Sequence, residues 1–282
     1  MNNDFKAMLV EENADGTFSK QVKTQPGNFL PPAELTVRVQ YSSLNYKDAL
    51  SSSGNKGITR NYPHIPGIDS AGIVVECASG RFKPGDEVIV TGYDFGMNTF
   101  GGFSELISVP EAWAVPRPAG LTLREAMTLG TSGFTASIGV SEIVRHGTVP
   151  GRDKVLVTGA TGAVGSSAVS ILAKLGFYVI ASTGKKEEAG RLQKLGASEV
   201  IDRAELADVP KAMLSKRWAA AFDTVGGEAL SYVLKATADH GIVTNCGMIG
   251  SPKRETSIMP FIIRGVRLVG IAAADTPMPQ RL

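Results

Sequence analysis

The chain has 282 residues, 43% of them hydrophobic and 20% charged, with a formal net charge of +2. That length and apolar content allow a core divided over two domains, while a net charge this small, on scattered cations, excludes a basic nucleic-acid face. Its two cysteines, Cys77 and Cys246, stand far apart in sequence, which excludes a disulfide framework and points to a reducing compartment.

The opening Met1-Asn2-Asn3-Asp4-Phe5-Lys6 lacks the apolar core of a signal peptide, so the expectation is a cytoplasmic protein. Residues 35–41 alternate as a half-buried strand does. Residues 71–76 and 87–91 read as further strands around the turn Lys83-Pro84-Gly85-Asp86, and 103–109 as another. Short strands at this spacing predict a small barrel or sandwich. At Thr122, Glu125 three residues on completes a capping box for a helix.

From there the pattern becomes strand–helix alternation. Strands are predicted at 154–157, 178–181, 200–201, 220–223, 242–246 and 266–270, and helices at 165–175, 187–195 and 228–237. This is a doubly wound α/β sheet following a β-domain. The uncharged stretch 155–173 has the length of a membrane span. Its three glycines, its hydroxyls and its strand-to-helix pattern argue against one.

Within that stretch, Val155-Leu156-Val157-Thr158-Gly159-Ala160-Thr161-Gly162-Ala163-Val164-Gly165 reads as strand, tight turn and helix start. Glycines let the backbone approach a pyrophosphate, which the free N–H groups and helix dipole then hold. Thr161, Gly162, Ala163 and Val164 are the expected pyrophosphate contacts. An NAD site carries an acidic residue about 20 residues past the glycines. Here Ser182-Thr183-Gly184-Lys185-Lys186 occupies that position, with no acid before Glu187. Ser182, Thr183, Gly184, Lys185 and, from the next loop, Arg203 suit a ribose 2′-phosphate, and hence NADPH over NADH. The alternative is that Lys185 and Lys186 only solvate a helix start.

Several longer motifs carry a family resemblance: Ser43-Leu44-Asn45-Tyr46-Lys47-Asp48-Ala49-Leu50, Tyr62-Pro63-His64-Ile65-Pro66-Gly67-Ile68-Asp69, Arg81-Phe82-Lys83-Pro84-Gly85-Asp86-Glu87-Val88, Gly130-Thr131-Ser132-Gly133-Phe134-Thr135-Ala136 and Met259-Pro260-Phe261-Ile262-Ile263-Arg264-Gly265-Val266. With the glycine motif they span nearly the whole chain. The sequence resembles the zinc-free medium-chain dehydrogenases/reductases of the quinone oxidoreductase-like group, and within it the acryloyl-CoA reductase subfamily. The resemblance implies a GroES-like β-barrel domain over 1–121, a Rossmann NADP-binding domain over 122–275, and the start of a return to the first domain over 276–282, with the active site in the cleft between domains. Family members run further than Leu282, so a fragment whose barrel lacks its closing segments is expected. Zinc-dependent relatives hold their metal where this chain has Asn45, Ile68 and Asp69. Asn is a poor zinc ligand and Ile is none; His64, His146 and His240 are isolated, so no metal is expected. The edge strand 266–270 implies a homodimer.

The resemblance further implies hydride transfer from the nicotinamide to the β-carbon of an α,β-unsaturated acyl thioester such as acryloyl-CoA. Tyr46 would touch the nicotinamide and donate to the enolate, and Asn45 would orient the substrate carbonyl. The alternative makes Tyr46 a packing residue at a helix start and Asn45 its cap. Asp48 reads as a local acceptor, Gly247, Ile271 and Ala272 as nicotinamide-side contacts, and Cys246 as core. Residues 223–227 read as a strand exit lining the cofactor cleft or simply a tight turn, and Arg60 and Asn61 as contacts to a CoA phosphate. Two further readings stand beside this one: a reductase of quinones or enones without CoA, and a non-catalytic NADPH-binding sensor.

Overall fold

The computed structural model describes residues 4–207 and 209–282. The signal-peptide expectation rests partly on residues 1–3, which lie outside the described residues. The chain divides into two units, Met1–Thr131 with Ala273–Leu282, and Ser132–Ala272.

In the first unit, β1 (Phe5–Glu12) and β2 (Phe18–Gln25) form an antiparallel hairpin. Strand β3 (Leu35–Tyr41) is followed by helix α1 (Tyr46–Ser52) and then by β4 (Asp69–Cys77), β5 (Glu87–Thr91), β6 (Leu106–Val109) and β7 (Ala114–Pro116). The five strands pair antiparallel in the order β6-β3-β4-β5-β7, the GroES-like half of the fold. Alternate residues bury together: Leu35 and Val37, Val88 and Val90, Ile107 and Val109 share one apolar cluster, as a period of two requires. The strand expected over 103–109 is split. The Phe103 carbonyl accepts from the Met8 N–H (2.8 Å) and the Glu105 N–H donates to the Lys6 carbonyl (2.9 Å), so its first half pairs with β1. At the crossover the Ser104 hydroxyl bonds the Leu106 carbonyl (2.7 Å).

The capping box forms as expected, with the Glu125 carboxylate accepting from the Thr122 N–H (2.8 Å). The helix it starts, α2 (Leu123–Arg145), runs far beyond the motif that signalled it and is broken by Gly130 at φ +49°. The boundary between the units falls just after, at Thr131.

The second unit holds β8 (Lys154–Val157), α3 (Ala163–Lys174), β9 (Tyr178–Thr183), α4 (Ala189–Lys194), β10 (Glu199–Asp202), β11 (Trp218–Asp223), α5 (Gly227–Ala236), β12 (Thr237–Asn245), α6 (Met259–Arg264) and β13 (Arg267–Gly270). Its strands pair parallel in the order β10-β9-β8-β11-β12-β13, the doubly wound Rossmann arrangement. Both faces are covered. Val155, Val157, Val179, Ala181 and Phe222 pack with α3, while Leu156, Ile180, Ala221 and Val243 pack with Val233 and Leu234 of α5. Two boundaries differ from expectation. Strand β12 begins five residues early because Thr237 already pairs with Trp218 before a register shift. The helix expected from Glu187 opens as a 3-10 turn over Lys186–Glu188. No helix among the described residues is long and apolar enough to cross a membrane.

A last short helix, α7 (Met278–Arg281), belongs to the first unit. The Arg281 guanidinium donates to the carbonyls of Thr91, Ala273, Ala274 and Thr276 and lies 4.5 Å over the Tyr93 ring.

Candidate functional site

The carboxyl edge of the parallel sheet collects the residues expected to meet a dinucleotide, around the β8–β11 switch where doubly wound sheets bind ligands. Beyond β8, Gly159 adopts φ +56°, and a Cβ there would strike the Thr224 hydroxyl at 2.3 Å. Gly165 packs so closely that a Cβ would lie 2.4 Å from the Gly159 carbonyl. Gly162 caps α3 with no side-chain acceptor, so the first turn of a 12-residue helix presents uncapped N–H groups. Thr161, Gly162, Ala163 and Val164 all lie at this turn and are exposed or half-exposed. Close backbone approach and free donors fit a pyrophosphate.

The cation-bearing end is built from β9 and β10. Ser182 is only 1% exposed, so it is a core position of β9; Gly184 and Lys185 are the exposed positions beyond it. The Thr183 hydroxyl accepts from the Lys185 N–H (3.0 Å) and meets the Thr161 hydroxyl (3.1 Å), tying this end to the glycine loop. The Arg203 guanidinium lies over Gly184, where a Cβ would come within 2.6 Å of its Nε. The two lysines separate in role: Lys186 pairs with Asp202 (2.9 Å), whereas Lys185 has no acidic partner among the described residues. Arg191, missed in the sequence, donates to the Thr161 carbonyl (3.0 Å). A basic residue in the first turns after β9 was the available signal.

Asp223, at the end of β11 and fully buried, accepts from the Thr158 hydroxyl (2.6 Å), the Gly226 N–H (2.7 Å) and the Asn245 amide (2.7 Å). Burial pushes its carboxyl above the usual range, against those hydrogen bonds. Asn245 also donates to the Gly247 carbonyl (3.0 Å) and accepts from the Ile271 N–H (2.9 Å). Gly247 and Ile271 are thereby linked through one side chain, with exposed Ala272 next in sequence. Only glycine fits at 247, because a Cβ would strike the Thr224 carbonyl at 1.8 Å. Burial and the Asp223 carboxylate push the Cys246 thiol up to about 12, which leaves it unreactive at neutral pH.

In the first unit, Tyr46 opens α1 and is 74% exposed, so it is not a packing residue. Asn45 is the N-cap. Asp48, 2% exposed, accepts from the Asn45 N–H (2.7 Å) and the Ile68 N–H (2.9 Å). It is a structural acceptor, and burial holds its carboxyl above the usual range. The Asn45 amide donates to Asp69 (2.8 Å), which also accepts from the Thr131 N–H (2.9 Å) and hydroxyl (2.6 Å). The carboxylate at the position of a zinc ligand is thus fully engaged by protein donors. Among the described residues no group of three or more His, Cys, Asp or Glu could hold a metal ion. Arg60 and Asn61 are exposed.

Two family models match the chain: an alcohol dehydrogenase GroES-like domain over residues 31–119 and a zinc-binding dehydrogenase domain over 163–281. The chain is 45% identical over 278 residues to the protein named quinone oxidoreductase YhfP of Bacillus subtilis, covering 98% of this chain and 84% of that one. It is 42% identical over 280 residues to acrylyl-CoA reductase AcuI of Ruegeria pomeroyi, covering 99% and 85%. The solved structure of the yhdH oxidoreductase of Salmonella enterica in complex with NADP superimposes with a TM-score of 0.94 at 42% identity, over 98% of this chain and 85% of that one. That of Bacillus subtilis yhfP, with NAD bound, gives 0.96 at 45% identity, over 99% and 85%. The chain belongs to the medium-chain dehydrogenases/reductases, in their zinc-free quinone oxidoreductase-like branch.

Proposed function

We propose that this NADPH-dependent oxidoreductase reduces the carbon–carbon double bond of an α,β-unsaturated acyl thioester such as acryloyl-CoA. The observation that carries the reading is the whole-length similarity to acrylyl-CoA reductase AcuI, joined to a first unit that presents an exposed tyrosine hydroxyl beside a fixed asparagine amide. The bound reduced nicotinamide supplies the hydride. The chain's residues bind and orient. The uncapped first turn of α3, with Thr161, Gly162, Ala163 and Val164, holds the pyrophosphate. Lys185 and Arg203 hold the 2′-phosphate, with Ser182, Thr183 and Gly184 shaping the turn beneath them. Gly247, Ile271 and Ala272 flank the nicotinamide end. As charge builds on the thioester oxygen, the Tyr46 hydroxyl and the Asn45 amide donate to it.

Deuteride tracing tests the reaction. NADPH labelled on its transferable hydrogen should yield propionyl-CoA labelled at the β-carbon, while label elsewhere, or no saturated product, overturns the reading. The 45% identity to the protein named quinone oxidoreductase YhfP favours one alternative, direct reduction of quinones by the same cofactor. We further propose a cytoplasmic homodimer joined along β13. That strand lies at the sheet edge with Leu268 exposed, and such an edge pairs readily. A monomer mass by light scattering at micromolar concentration would contradict it.

A further inference from the structure

Asp69 is 0% exposed, yet among the described residues no lysine, arginine or histidine pairs with it. Burying an anion without a cation is costly unless hydrogen bonds satisfy it. Here three donors do so, and they come from separate segments: the Asn45 amide before α1, and the Thr131 N–H and hydroxyl beyond the break in α2. The break itself makes room. Gly130 sits at φ +49°, and a Cβ there would lie 2.7 Å from the Asp69 carboxylate and 2.4 Å from the Ser43 hydroxyl. Ser43 in turn donates to the Met127 carbonyl (2.7 Å), fastening the residues just before Asn45 to the same helix.

What this arrangement decides is which end of the Asn45 amide is available. An asparagine amide turns end for end at little steric cost, exchanging donor for acceptor. Asp69, ionised, is an acceptor only. It therefore admits the Nδ2 end and repels the carbonyl end. The neighbouring Asp48 carboxylate takes the Asn45 N–H (2.7 Å), which pins the backbone from which both the amide and Tyr46 project.

We infer that Asp69 is a positioning residue, supported by Thr131, that locks the Asn45 amide in its donor orientation toward the substrate oxygen and fixes the first turn of α1 that carries Tyr46. The inference rests on the enoyl-thioester reading for its consequence in turnover, but the hydrogen-bond lock can be measured without any substrate.

Asp69→Asn keeps the shape and removes the obligate acceptor. In the wild-type protein, ¹⁵N NMR should show two separate, slowly exchanging proton signals from the Asn45 side-chain amide; in Asp69→Asn they should merge or exchange quickly. With acryloyl-CoA, kcat should fall about tenfold or more, while KM for NADPH stays within about twofold. The exchange variant Asn45→Asp/Asp69→Asn rebuilds a hydrogen bond with donor and acceptor reversed. It should recover thermal stability but not kcat. Recovery of both together would reduce Asp69 to a structural role and overturn the inference, as would an Asp69→Asn protein that keeps both its amide signals and its kcat. If Asp69→Asn does not fold, Thr131→Val removes one of the three donors and should move the same two readouts in the same direction. A wild-type protein that turns over neither thioester nor quinone would sink the functional reading alone. The amide signals would still decide the lock: retained in the variant, they overturn it; lost, they sustain it.

Discussion

Asp69 and Asp223 occupy similar situations in the two units. Each is fully buried at one end of a strand, and each accepts hydrogen bonds from a threonine hydroxyl and an asparagine amide. They differ in what is held. Asp223 joins the ends of three adjacent strands, β8, β11 and β12, in one sheet, and through Asn245 it reaches Gly247 and Ile271. Asp69 holds one short helix start and one helix break. The same chemical device thus stabilises a binding edge in one unit and orients a reacting group in the other. The two should separate experimentally into binding and stability on one side and turnover on the other.

The sharpest way to break that contrast is Asp223→Ala. It strands the Thr158 hydroxyl, the Gly226 N–H and the Asn245 amide, and buried donors left unpaired cost about 1–3 kcal/mol each. Urea unfolding should show a loss of about 3 kcal/mol or more, with weakened NADPH binding; a loss below about 1 kcal/mol would show that water replaces the carboxylate. Next in size is Tyr46→Phe. Because Tyr46 is 74% exposed, unfolding should change by less than about 0.5 kcal/mol, while kcat with the thioester falls roughly a hundredfold. Unchanged kcat would remove Tyr46 from the chemistry. Lys185→Ala should weaken NADPH about tenfold and leave NADH untouched, and equal losses for both cofactors would contradict the 2′-phosphate assignment.

The smallest effect is a pH dependence in the first unit. His64 is 2% exposed, and burial holds its pKa below the ordinary 6.5. The unfolded chain therefore takes up a proton first as pH falls, so stability present above 6.5 is lost on descending through the folded value. Urea midpoints at pH 7.5 and 5.5 should fall further for wild type than for His64→Gln, and parallel falls would contradict this.

Legibility in the sequence followed the range of the interactions. The parallel sheet was readable because each strand is a short apolar run and each turn carries glycine, so Val155–Val157 and Ala220–Asp223 announce themselves locally. The first unit was harder. Strands β1 and β2 are long but largely polar on one side, and the run at 103–109 serves two partners, which no local pattern encodes. The full length of α2 was hidden by Gly130, a helix breaker tolerated because Asp69 and Ser43 crowd that position. For the site, spacing found the glycine loop and the lysines. It could not tell Lys185 from Lys186, since only the fold brings Asp202 to the second. Asp69 drew notice as an absent zinc ligand, and its role as an acceptor for Asn45 depends on pairs 24 and 62 residues apart.

The most direct test of the account is the ratio of kcat/KM for acryloyl-CoA to that for a simple quinone, followed as NADPH oxidation by the wild-type chain. A ratio of about a hundred or more in favour of the thioester, equivalent to roughly 2.7 kcal/mol of transition-state preference, is the predicted result. A ratio below one, or turnover of neither, would contradict it.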